Sequence, residues 1–400
     1  MSQYENISIN NIQSFLQSFS TDELFMQFLL SKGIMFTLEQ ENDMLILRYN
    51  KANPDCDTSD PFTRYCRGLV LEASTKKIVC FPPEKSIPYT SLNPGPFDDL
   101  LIEDFIDGTM INLFYKDQWN ISTRSKIGAN CRWFSDKNFS DMFVEAQGSL
   151  DFEKFETNFT YTFVLRHPEN RIVTNYQQAD LVLVQVRDMS TFQPVNTHMV
   201  RNVLKTRDVE VTVPVIYSFT DLDQLTQYVS QMNWEQQGLV LKYEGFRSKI
   251  RNEKYNYVKQ MRGNTPKRLY NFLELRKNKM IKQYLQYFPE ASDEFYEFTN
   301  KVNGMTRLLH QTYMDYRVKK TITIEEVPYE LKPLIYDLHG QHLTNHIKVT
   351  FDYVKSYFNE LPIPKIIFVV NFQKNLEIAN AKALAVEESV ESVEQSVDME

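Results

Sequence analysis

The stretch "LLIEDFIDGTMINLFY", Leu100 to Tyr115, decides how the chain folds. Apolar and polar side chains alternate on both sides of Asp107-Gly108, which is the period of half-buried strands, and Asp-Gly is a strong turn signal. The local expectation is a β-hairpin with Phe105 buried close to its turn, where a phenyl ring removes roughly 150 Å² or more from water.

Working outward, short apolar runs of the same kind continue from about residue 36 to 258: "MLILRY", "GLVLEA", "KIVCF", "YTFVLR", "LVLVQVRD" and "GLVLKYEG". Separated by turn residues, they predict strands with a few short helices among them. Before them, "SFSTDELFMQFLLSKG" carries a capping-box pattern at Ser20 and Glu23, a helical apolar run and a stop at Gly33, which predicts one amphipathic helix. From Pro266 onward helical spacing dominates. In "PKRLYNFLELRKNKMIKQYLQYF", Leu269, Phe272, Leu273, Met280, Tyr284 and Phe288 fall on one side of a helix. "LPIPKIIFVVNF" closes this region. The expected fold class is α+β: an N-terminal helical segment (1–35), a domain of antiparallel sheets (36–262), an all-helical C-terminal domain (263–375) and an acidic tail (376–400).

The net charge of the 400 residues is -8, but the stretch Glu387 to Glu400 holds six acids and no base, so the body of the chain is near neutral. Any binding to a polyanion must come from a local patch. The tail also places Val386, Val390, Val393 and Val397 at helical spacing, so it reads either as a solvated, disordered segment or as a short helix that docks a protein partner. Cys56, Cys66, Cys80 and Cys131 have neither metal-site spacing nor the density of a disulfide scaffold, and read as reduced thiols of an intracellular protein. The N-terminus "MSQYENISINN" has no signal-peptide pattern, and no apolar run approaches the roughly 18 residues of a membrane span. A soluble, cytoplasmic protein is expected.

Two further features have competing readings. His339, His342 and His346 share one helical face, which suits either a transition metal or an ordinary polar helix surface; no carboxylate or cysteine completes a ligand set. Lys267 to Lys282 has six bases against one acid, interleaved with Tyr270, Phe272 and Leu275, which suits a solvated helix or an RNA exit path.

The segments "YCRGLVLE" (Tyr65–Glu72), "PPEKSIPY" (Pro82–Tyr89), "FIDGTMI", "STRSKIGA" (Ser122–Ala129), "FVLRHPENRIV" (Phe163–Val173), "QGLVLK" (Gln237–Lys242) and "SKIRNEKY" (Ser248–Tyr255) come in the order and at the spacing of the motifs of the T4-type RNA ligase family. The resemblance covers about residues 36 to 260. It implies the fold of the ATP-dependent nucleotidyltransferases, two antiparallel sheets enclosing a nucleotide cleft. It also implies joining of RNA ends, by attack of a lysine on ATP, transfer of AMP to a 5′-phosphate, and displacement by a 3′-hydroxyl. Such chemistry needs an activated amine, acids for Mg²⁺, and bases for the phosphates.

Compared with the family pattern, Phe105 stands in place of the lysine, Val164 in place of one glutamate and Gln237 in place of another. The bases are kept. Arg67, Lys85, Arg124, Lys126, Lys249 and Arg251 match basic positions of the family, and Asp107 is kept beside Gly108. These seven residues are the candidates for contact with a nucleotide or a phosphate backbone; none is expected to be catalytic, and no metal ligand is expected. Glu235, in register with Gln237 in an extended segment, and Lys116 or Lys126 are the residues that a rescued active site would draw on.

The expectation is a degenerate RNA-ligase-like protein that binds RNA or holds protein partners, with no cofactor. The alternative is an active ATP-dependent RNA ligase with a noncanonical site, requiring ATP and Mg²⁺. A glycine count of 11 beside 28 Phe and 22 Tyr hints at an AT-rich, viral genome, which would place the protein in a virion or host cytoplasm.

Overall fold

The structure, a computed structural model, describes residues 7–92 and 96–377. The acidic tail, apart from its first two residues, lies outside the described residues. The chain divides into two compact units, one ending at Gln260 and one beginning at Met261.

In the first unit, β1 (Ile34–Glu39), β2 (Met44–Tyr49), β3 (Arg67–Glu72) and β4 (Ile78–Cys80) form an antiparallel sheet in chain order. The "LVL" and "LIL" runs here are apolar on both faces because both are covered. On one side Leu45, Leu47, Leu69 and Leu71 pack with Phe25, Phe28 and Leu16 of two N-terminal helices. On the other, Met44, Ile46, Val70 and Cys80 meet Phe114 of the next sheet.

That sheet has the order β10 (Pro194–Val195), β9 (Asp180–Asp188), β8 (Phe159–Arg166), β6 (Thr109–Lys116), β7 (Gln118–Ser122), with its outer face buried under the helices Phe139–Gln147 and Thr197–Lys205. A third sheet has the order β11 (Ile216–Tyr217), β5 (Leu101–Asp104), β12 (Gly238–Tyr243), β13 (Phe246–Arg251). The resemblance implies two sheets; the first, N-terminal one is additional.

The hairpin expected at Asp107-Gly108 does not form. β5 pairs with β11 and β12, whereas β6 pairs with β7 and β8, so the segment from Phe105 to Gly108 is a crossover between two sheets. Gly108 is required there: its φ is +147° and a Cβ would lie 2.4 Å from the Leu165 carbonyl oxygen.

Two details at the N-terminus also differ from expectation. Thr21, not Ser20, caps the helix Asp22–Ser31, accepting from the Leu24 N–H, and a further helix, Ile12–Gln17, precedes it. The N-terminal segment is not separate, because its Ile12, Leu16, Phe25 and Leu29 belong to the core of the first sheet.

The second unit is helical. Arg268–Lys277, Ile281–Tyr287, Ser292–Tyr313, Lys332–Asn345, Phe351–Glu360 and residues 363–377 are helices. Phe272, Phe295, Leu309, Leu334, Leu338 and Phe358 are buried among them. Among the described residues, no helix is long and apolar enough to cross a membrane.

Candidate functional site

The third sheet has two chemically opposite faces, and strand alternation produces them. Ile102, Leu239 and Leu241 point into an apolar core with Leu92, Leu225, Val229 and Met232. On the other face, Val240 sits opposite both Glu103 and Lys249, Lys242 opposite Arg247, and Gly238 opposite Arg251. Pairing continues past β5, because the Phe105 N–H donates to the Gly238 carbonyl at 3.0 Å. Gly238 has φ +124°, and a Cβ there would lie 2.1 Å from the Ile250 carbonyl oxygen, so the close approach needs glycine.

This polar face lines a cavity of about 220 Å³. The five-stranded sheet supplies Met110, Val164 and Val184 to it, the crossover supplies Phe105, Asp107 and Gly108, and the first sheet supplies Arg67. Six bases line the cavity: Arg67, Lys242, Arg247, Lys249, Arg251 and Lys259.

At its centre, the Lys249 Nζ lies 4.1 Å from the centroid of the Phe105 ring, and the Arg251 guanidinium 5.3 Å from the same centroid. Burial, followed by the positive charges of Arg247, Arg67, Arg251 and Lys259, pushes the Lys249 ammonium down to about 5. The group therefore rests as a neutral amine near neutral pH. Burial likewise pushes Arg247 down to about 9, helped by Arg67, although its Nε and Nη2 donate to the Glu84 carbonyl oxygen at 3.1 and 2.8 Å. Arg67, lowered by burial, donates to the Pro83 carbonyl at 3.2 Å.

The three acids lining the cavity are already engaged. Glu103 pairs with Lys242 at 2.5 Å, which offsets the burial that lowers Lys242. Asp104 accepts from the Tyr217 hydroxyl at 2.9 Å, and burial raises its carboxyl above the usual range. Asp107 is buried and accepts from the Val173 and Thr174 N–H groups, both at 3.0 Å, and from the Tyr255 hydroxyl at 2.6 Å.

Of the sequence-predicted residues, the fold gathers Arg67, Asp107, Lys249 and Arg251 on this cavity, together with Phe105, Val164 and Gln237. Lys85, Arg124 and Lys126 do not line it. Lys126 pairs with Glu39 at 2.9 Å in a separate groove, the Arg124 guanidinium lies 5.6 Å over Tyr49, and Lys85 is tied through its backbone to Arg64. Phe105 is only partly buried, contrary to the buried side chain expected, and lines the cavity without filling it. Glu235 lies in a turn rather than an extended segment and does not reach the cavity. Lys116 pairs with Glu72 and Asp117 instead.

Sequence reasoning misses Lys242, Arg247 and Lys259. A signal for the second existed: Arg247, Lys249 and Arg251 recur at every second position in "FRSKIR", one face of a strand.

A carboxylate-held Mg²⁺ does not fit these residues. Mg²⁺ takes oxygen ligands, usually including one or two carboxylates. Here Glu103 and Asp107 are committed to Lys242 and to a structural hydrogen-bond set, Val164 and Gln237 bring no charge, and the surrounding bases repel a divalent cation. The phosphates of a nucleotide or of RNA suit the same bases.

Elsewhere, the three histidines do not assemble. His346 ends its helix in the left-handed conformation, the His342 Nδ1 lies 2.7 Å from the Ile347 carbonyl oxygen, and the His339 Nδ1 lies 3.3 Å from the Tyr313 hydroxyl. Among the described residues, Glu145, His167 and Glu169 do bring ligand atoms within 4.8 Å of one another, but the Lys137 ammonium already bridges the two carboxylates at 2.9 and 2.6 Å.

No protein-family model matches the chain. It is 23% identical over 217 residues to an RNA ligase of Rhodothermus phage RM378, covering 44% of this chain and 47% of the phage protein. It is 24% identical over 287 residues to the immediate-early protein ICP-46 homologue of Invertebrate iridescent virus 3, covering 64% of this chain and 61% of that protein. The matches thus span about half to three fifths of the length of these curated relatives. An archaeal ATP-dependent RNA ligase shares 14% identity over 73% of this chain and 75% of its own, with a TM-score of 0.43. In motif order and in its match to the phage protein, the chain is similar in sequence to RNA ligases.

Proposed function

We propose that the protein is an RNA-ligase-like pseudoenzyme that binds RNA phosphates in the cation-lined cavity and forms no lysyl-adenylate at position 105. One observation carries this reading. Phe105, Val164 and Gln237 stand together on a cavity whose bases are intact and whose acids are spent on internal partners. A site of that composition attracts phosphates and lacks the metal-holding charge that nucleotidyl transfer uses.

The alternative, an active ATP-dependent ligase with a noncanonical site, draws on Lys249, whose nitrogen stands over the Phe105 ring. Incubation with labelled ATP and Mg²⁺, followed by mass measurement under denaturing conditions, separates the two. The pseudoenzyme reading expects unmodified chain; a gain of one AMP overturns it. RNA binding that weakens with salt and with Lys249→Ala and Arg251→Ala supports the RNA-binding role. Absence of RNA binding leaves a protein scaffold, to which the acidic tail would contribute a docking segment.

A further inference from the structure

Lys249 is not used as a charge in this cavity. Among the described residues no carboxylate lies within ion-pair distance of it, its neighbours are Arg67, Arg247, Arg251 and Lys259, and the face of the Phe105 ring lies against its nitrogen at 4.1 Å. A cationic lysine would be expelled from such surroundings or paired with an acid. A neutral amine tolerates them, and an aromatic face is a weak acceptor for its N–H groups. An amine held neutral by desolvation and by adjacent cations is a nucleophile toward carbonyl carbon. The same cations provide an anion site beside it.

We propose that Lys249 forms a reversible imine with a phosphate-bearing aldehyde, whose phosphate is held by the guanidinium groups of Arg67, Arg247 and Arg251. The step balances without a metal or a redox partner. The Nζ lone pair adds to the carbonyl carbon and one N–H proton moves to the oxygen. The carbinolamine's C–O bond then breaks and its hydroxyl leaves with the second N–H proton as water, so that the nitrogen lone pair forms C=N. Hydrolysis reverses it. The proposal rests on the reading of the cavity as a phosphate site. Two sources share this chemistry, a small phosphorylated aldehyde and the aldehyde of an abasic nucleotide flanked by its strand phosphates.

The test treats the full chain with pyridoxal 5′-phosphate and cyanoborohydride at neutral pH, then maps the modified lysine by peptide mass. Lys249 is expected to dominate, inorganic phosphate to protect it, and pyridoxal, which lacks the phosphate, to label it about tenfold less. Lys249→Arg keeps a long unbranched stem but carries a guanidinium that cannot form the imine, and is expected to lower specific labelling by about tenfold or more. An abasic oligonucleotide trapped in the same way distinguishes the sources: an adduct there assigns the strand, and an adduct only with pyridoxal 5′-phosphate assigns the small aldehyde. Labelling spread over surface lysines, undiminished in Lys249→Arg, or equal for pyridoxal overturns the proposal. Because phosphate protection is read on the unaltered chain, a poorly folded variant does not remove the test. RNA binding without labelling sinks this inference alone, and labelling without RNA binding sinks the proposed function alone.

Discussion

The Tyr255 hydroxyl donates to the Asp107 carboxylate at 2.6 Å across 148 residues of sequence, while the other oxygen of Asp107 accepts two backbone N–H groups, from Val173 and Thr174. The Tyr176 hydroxyl adds a bond to the Asp107 carbonyl at 3.1 Å. The acid kept beside Gly108 therefore ties the crossover to a loop and to the last helix of the first unit. Its retention is explained by structure, without any call on catalysis.

Asp107→Ala should then behave as a stability variant. It strands two N–H groups and a buried hydroxyl, at a cost of roughly 3–5 kcal/mol. Tyr255→Phe removes one partner of a carboxylate that keeps two others, and should cost about 1–2 kcal/mol. Urea unfolding of each variant and of the double variant checks this, with the double expected to fall short of the sum because the partners are shared.

Lys249 gives the fold a pH dependence whose sign follows from its depressed value of about 5. Above about pH 10.4 the amine is neutral whether the chain is folded or not, and nothing is lost. Between there and pH 5 only the unfolded chain takes up the proton, so stability falls as pH falls; below pH 5 both forms hold it and the penalty is constant. Lys249→Met, which keeps an unbranched chain over Phe105, should stabilise the protein by about 2–4 kcal/mol at pH 7 and by little at pH 10. Equal gains at both values would show that the amine is not held neutral.

How much of this was legible follows from which interactions are local. The strand runs from "MLILRY" to "GLVLKYEG" are visible because period-two alternation is written within each segment. The sheet that each strand joins is not written there. Leu101–Asp104 and Thr109–Lys116 are separated by four residues, yet their partners lie near residues 240 and 162, and the Asp-Gly signal taken alone favoured the hairpin. The site divides in the same way. The bases of "FRSKIR" declare a strand face, whereas Lys126 left the candidate set because of a glutamate 87 residues away, and Lys259 entered it from a helix where strand alternation has no meaning.

RNA binding should discriminate between the two bases of "KIR". Arg251 is exposed at the cavity and permanently charged, so Arg251→Ala should lower the slope of log K against log salt by about 0.7 for single-stranded RNA. Lys249 contributes charge only if a phosphate draws a proton onto it, so Lys249→Ala should lower the slope less at pH 8 than at pH 6. Titrations at several salt concentrations measure both, and identical slopes for the wild type and Arg251→Ala would remove the cavity from the RNA site.

Under the proposed function, a lysine at position 105 should not by itself produce nucleotidyl transfer. Phe105→Lys places a second amine beside Lys249 where neither has a carboxylate, and it removes the aromatic face that lies 4.1 Å from the existing nitrogen. The pair must stay neutral or repel, and the single variant should lose about 1–3 kcal/mol with no AMP bound after treatment with ATP and Mg²⁺. Adding Val164→Glu and Gln237→Glu supplies two acids from residues that already line the cavity, which should recover much of that stability by pairing with the two amines. Thermal melts read the stability and denatured mass reads the adenylate. If Phe105→Lys alone captured AMP, missing acids could not be the reason for the proposed inactivity, and the ring at position 105 would be its single cause.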